Sequence, residues 1–130
     1  MLEKFHRKYI GDRNIYIDKR RNLGVAIKNK DNYLLDKLEA YKEIVNTAMS
    51  RQLREQQMWD SFFMATMRKS SNFSVPGSGK TSSVYGAFAY MNKCEGVDKI
   101  VMIGPLNSFV SWIDEFLECF GDKMPLRYLG

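Results

Sequence analysis

Ser74-Val75-Pro76-Gly77-Ser78-Gly79-Lys80-Thr81 is the stretch whose reading decides the expected fold. It is a glycine-rich loop between an apolar-alternating run and a helix-like run. Gly77 and Gly79 let the backbone turn without Cβ clashes, so successive N–H groups can point inward as an anion nest. A helix starting after the loop adds the positive end of its dipole. Lys80 then puts a point charge on the β- and γ-phosphates, and the Thr81 hydroxyl can ligand Mg²⁺. A strict phosphate loop has glycine six residues before the lysine, where this chain has Ser74. The alternative is a plain Gly/Ser connector; the strand–loop–helix context favours a nucleotide phosphate site.

Outward from the loop, Asn72-Phe73-Ser74-Val75 reads as a short strand feeding it, and a helix is expected from the loop to about Asn92. Lys99-Ile100-Val101-Met102-Ile103-Gly104 is a continuous apolar run of the kind buried on both faces of a parallel sheet. Pro105 to Ser108 turns the chain, with Asn107 or Ser108 as N-cap. Phe109, Trp112, Ile113, Phe116, Leu117 and Phe120 follow at helical spacing, and Gly121 closes that helix. Leu126-Arg127-Tyr128-Leu129 looks like a further strand. Strand and helix thus alternate from residue 72, the pattern of an α/β fold with a parallel sheet and right-handed crossovers.

Upstream, Leu53 to Met67 is expected to be a helix with Trp59, Phe62, Phe63 and Met67 on its buried side. Residues 33–49 form an amphipathic helix whose stripe is Leu34, Leu38, Tyr41, Val45 and Ala48. Before it, Asn14 to Asp18 and Leu23 to Lys28 read as two strands of a hairpin, with Lys19, Arg20, Arg21 and Asn22 as the turn. His6 stands alone without metal partners.

The totals bound the class. With 130 residues, 45% hydrophobic and 27% charged, the chain has the make-up of one globular domain or part of one. No apolar run approaches the ~20 residues that span a bilayer, and the first residues lack the apolar core of a signal peptide. Cys94 and Cys119 have no metal-ligand spacing, which points to a reducing, intracellular setting, cytoplasmic or nucleoid-associated. Net charge is +5, and residues 1–30 hold nine Lys/Arg against three Asp/Glu. Such a basic segment is either a solvated surface or a contact for nucleic acid.

Three motifs together carry a resemblance. Leu53-Arg54-x-x-Gln57, then Pro76-Gly77-Ser78-Gly79-Lys80-Thr81, then Ile103-Gly104-Pro105-Leu106-Asn107-Ser108 with Trp112 and Glu115-Phe116 occur in that order. Residues 53–130 so resemble the start of the first RecA-like lobe of superfamily-two helicases, and most closely the Swi/Snf-type DNA-dependent ATPases. The resemblance implies ATP and Mg²⁺ as ligands, with Gln57 reading the adenine edge. Pro76, Gly77, Ser78, Gly79, Lys80, Thr81 and Ser82 would hold the phosphates, Lys80 and Thr81 would serve the chemistry, and Thr81 would ligand Mg²⁺. It further implies Asn107 and Ser108 near a DNA backbone, duplex ahead of single-stranded, although a plain helix cap is the other reading of that pair. Gln56 stands where the family has tyrosine.

The Asp-Glu-x-His-type motif that positions metal and water does not occur in the chain, and neither does a second lobe. The expectation is therefore an incomplete ATP-binding lobe over residues 51–130, an N-terminal piece of a longer motor that hydrolyses ATP negligibly by itself. It is preceded by a basic hairpin-plus-helix segment over 1–50. The rest of the helicase chain is the implied partner, with no membrane. The competing reading is a non-catalytic nucleic-acid-binding module with a vestigial loop. A small P-loop kinase leaves the Leu-Arg-x-x-Gln and Pro-Leu elements unexplained.

Overall fold

The computed structural model describes residues 2–72 and 79–127. Among the described residues the regular structure is helical. It comprises α1 (Leu2–Lys28), α2 (Leu35–Ala48), α3 (Glu55–Met67), α4 (Lys80–Glu95) and α5 (Phe109–Phe120), with short 3₁₀ turns at Asn32–Leu34, Leu106–Ser108 and Gly121–Lys123. No strand occurs among them. The expected α/β parallel sheet is corrected accordingly: the described chain is an all-helical assembly.

Helix α4 is the centre of that assembly, packed against α2, α3 and α5. Its middle turns, Tyr85 to Ala89, are buried on successive residues, which requires cover on more than one side. Gly86 permits the closest approach: a Cβ there would lie 2.6 Å from Ser61 Oγ and 2.7 Å from Leu53 Cδ1. The α2 stripe of Leu34, Leu38, Tyr41, Val45 and Ala48 is wholly buried, as its spacing predicts. From α3, Met58, Trp59, Phe62 and Ala65 complete that side of the core. On the other side Tyr85 sits edge-on to Trp112, Phe116 and Phe120, and its hydroxyl donates to the Trp112 carbonyl at 2.6 Å.

Helix ends are tied down reciprocally, because their last carbonyls lack intrahelical donors. The Ser50 and Arg51 N–H groups donate to the Cys119 carbonyl at the end of α5, and Ser50 Oγ donates to the Phe120 carbonyl. In return Lys123 Nζ donates to the Thr47 and Met49 carbonyls at the end of α2.

Two expected strands merge into one 27-residue helix, α1. The correction has a physical reason. Lys19-Arg20-Arg21-Asn22 contains no glycine to supply the positive φ of a tight hairpin turn. As a helix, Arg20, Leu23 and Ile27 share one face, so Ile27 enters the core and Arg20 Nη2 donates to the Thr66 carbonyl near the end of α3 at 2.7 Å. Tertiary contact at the C-terminal end thus overrides the β-branched residues. Arg20 is consequently no hairpin tip.

Residues 99–104, expected as a buried strand, are irregular and lie at the surface, with Val101 86% and Ile103 94% exposed. A parallel strand takes its hydrogen bonds from neighbours, and no neighbouring strand is present among the described residues. The expected strand over 72–75 falls outside the described residues except for Asn72, which is irregular. Leu126 and Arg127 are likewise irregular, while Tyr128 and Leu129 lie outside. Among the described residues no helix is long and apolar enough to cross a membrane.

Candidate phosphate-binding site at the start of α4

Gly79 precedes α4 in the left-handed conformation, φ 82°. The Gly79 carbonyl accepts the first intrahelical bond, from Ser83 N–H at 3.2 Å, with Ser83 Oγ at 3.3 Å as a second donor. The N–H groups of Lys80, Thr81 and Ser82 therefore precede the ladder and have no backbone acceptor among the described residues. They form the anion-facing end of the dipole. Lys80 and Thr81 are partly exposed, and no hydrogen bond or ion pair engages the Lys80 ammonium among the described residues. Of the other loop residues in the expected site, Pro76, Gly77 and Ser78 lie outside the described residues.

Gln57 stands directly against this turn. Its Oε1 accepts from Arg54 N–H at 2.9 Å, which caps the start of α3. Its Nε2 lies 3.4 Å from the Gly79 carbonyl. A Cβ at Gly79 would fall 1.9 Å from Gln57 Nε2 and 3.4 Å from Arg54 Nη2. Gly79 is needed both for its φ and for this approach, so the glutamine and glycine motifs are locked together. The same geometry buries the Gln57 amide at 8% exposure, against the protein's own backbone.

Ser82, also in the expected set, turns its hydroxyl inward. Ser82 Oγ donates to Glu115 Oε1 at 2.7 Å and accepts from Arg51 Nη1 at 3.0 Å. Arg51 in turn pairs with Glu115 and, at 3.3 Å, with Glu118. Ser82 has its backbone N–H, not its hydroxyl, available to an anion. The Cys119 thiol borders this network at 3.8 Å from Ser82 Oγ. Burial pushes that thiol above its ordinary value, with the Ser82 hydroxyl opposing, so it is held as a protonated core group.

Asn107 and Ser108 form a 3₁₀ turn leading into α5. Asn107 is exposed, whereas Ser108 Oγ donates to the Pro105 carbonyl at 2.6 Å and stabilises its own turn. Among the described residues no group of three His, Cys, Asp or Glu could hold a metal ion. The residues fit only a cation carried by phosphate, met by the Thr81 hydroxyl, which would add counter-charge there. Arg51, which joins the α2–α3 connection to α4 and α5, was not legible as a site residue; its partners lie 31, 64 and 67 residues away.

No family model matches the chain, and no curated protein and no solved structure matches it.

Proposed function

We propose that the chain binds ATP at the start of α4, as the N-terminal ATP-binding part of a Swi/Snf-like DNA helicase or translocase. One observation carries the reading: the glutamine of Leu53-Arg54-x-x-Gln57 rests on the glycine of Gly79-Lys80-Thr81, 22 residues away. Two motifs that belong to one nucleotide site in the family it resembles are thus in contact. In this reading the first-turn N–H groups and Lys80 take the β- and γ-phosphates, Thr81 takes Mg²⁺, and Gln57 borders the base. Phosphoryl transfer requires metal, water and a transition-state cation placed together. The chain contains no Asp-Glu-x-His sequence, so the proposal is of ATP binding and not of turnover by this chain, with DNA as the track of such a motor.

The test is a titration with a fluorescent ATP analogue and Mg²⁺. Lys80→Ala is expected to weaken binding at least tenfold at unchanged thermal stability, since no hydrogen bond or ion pair engages the Lys80 ammonium among the described residues. Absence of binding by the natural chain, or equal binding by Lys80→Ala, overturns the reading.

A further inference from the structure

Residues 7–19 of α1 stand outside the helical assembly: every residue from Arg7 to Lys19 is exposed. Its C-terminal end is anchored by Ile27 in the core, by Arg20 on the Thr66 carbonyl, and by Lys28 over the Phe63 ring. Tyr9, Arg13, Tyr16 and Arg20 fall at +4, +7 and +11, so they form one stripe on a 3.6-residue helix. The two tyrosines are 58% and 63% exposed, an unusual expense of aromatic surface unless something stacks on it. Lys4, Arg7, Lys8, Lys19 and Arg21 surround the stripe, against Glu3, Asp12 and Asp18; Asp18 is already paired with Arg21 at 3.6 Å.

We infer that the Tyr9–Arg13–Tyr16 stripe of α1 is a docking surface for single-stranded nucleic acid. The positive excess complements a phosphodiester backbone, and tyrosine faces flanking a guanidinium are a stacking platform for unpaired bases. From Arg7 to Lys19 the helix runs about 18 Å, long enough to track a short run of nucleotides. A duplex offers no free base faces to the tyrosines. A bilayer fits poorly, because its apolar side would have to bury Arg13 between the two rings, and the cations lie all round the helix instead of on one side. The surface is separate from the α4 site and needs no nucleotide, so loss of ATP-analogue binding leaves it standing.

Fluorescence anisotropy of a labelled single-stranded oligonucleotide and its duplex, on the whole chain, tests the assignment across roughly 50 to 200 mM salt. Arg7→Gln/Lys8→Gln/Arg13→Gln is compared with Lys69→Gln/Lys93→Gln/Lys99→Gln, which removes equal charge elsewhere. The α1 triple is expected to flatten the salt slope by about 2 and weaken single-strand binding about tenfold, with the control within twofold. Tyr9→Ala and Tyr16→Ala each weaken single-strand binding about fivefold or more. Circular dichroism on each variant checks that the helix persists. Tighter binding to duplex, equal effects of the two triples, or tyrosine variants that bind the single strand as the natural chain does would each overturn the assignment. So would a dimer that the α1 variants dissociate, since the stripe would then belong to a second copy.

Discussion

Two glycines set the tolerances around α4, and they do so for different reasons. At Gly79 the backbone is left-handed and Gln57 occupies the space of a side chain. Gly79→Ala is therefore expected to cost more than ~1 kcal/mol from backbone conformation alone, with displacement of Gln57 in addition. If the proposed site is correct, it also lowers ATP-analogue affinity. At Gly86 the backbone is helical and the obstacle is packing, with Ser61 and Leu53 in the way. Gly86→Ala gains helix propensity but overpacks the α3–α4 contact, a net loss of ~1 to 3 kcal/mol. Urea denaturation of both variants checks the two figures; a stabilised Gly86→Ala would mean that α3 can shift away at no cost.

At the scale of elements, α1 is two structures in one helix. Residues 23–28 contribute Ala26 and Ile27 to the core, while residues 7–19 pack on nothing among the described residues. A helix without tertiary cover is marginal in water, so amide exchange is expected to be fast through residue 19 and slow beyond residue 23. Gly11, where a Cβ would meet nothing within 4 Å, offers a matching substitution. Gly11→Ala should raise helicity and slow exchange around it, by ~0.5 to 1 kcal/mol of local stability. Uniform protection along α1 would show that its outer part has cover. The irregular segment 99–104 is a further stretch with no strand partner among the described residues. Its exposed Val101 and Ile103 predict concentration-dependent association, and Ile103→Lys should reduce light scattering without lowering the melting temperature.

For the whole molecule, the buried tyrosines link stability to alkaline pH. Burial pushes the Tyr85 hydroxyl from 10 to about 12, and burial also pushes Tyr41 upward, only partly offset by its hydrogen bond to Ser61. Both are acids whose folded value is raised. The stability they contribute is therefore intact below pH 10 and is lost as pH rises through the folded value. Unfolding free energy measured between pH 8 and 12 should fall over the upper half of that range. Tyr85→Phe should be less stable at pH 8, having lost its hydrogen bond to the Trp112 carbonyl, yet show a shallower decline. A profile unchanged by that substitution would remove Tyr85 from the account.

Much of this molecule follows from the residues taken in order. The stripe Leu34 to Ala48, the aromatic run Phe109 to Phe120 with its Gly121 stop, and the helix starting at Lys80 depend on periodicity and end signals, which are local. The Gly-Lys-Thr and Leu-Arg-x-x-Gln elements are also local patterns; that Gln57 lies against Gly79 is a contact made only by packing. What depended on partners was not legible. Residues 99–104 have the composition of a sheet strand, but a strand exists only through hydrogen bonds to neighbours, and the described chain supplies none. Residues 14–28 alternate like a hairpin, yet α3 rewards the helical face formed by Arg20, Leu23 and Ile27. Arg51 with Glu115, and Gln57 with Gly79, were joined only by packing. Local sequence determined helices α2 to α5. Tertiary structure decided between helix and strand where both were locally allowed, because long-range contacts outweigh propensities of a few tenths of a kcal/mol per residue.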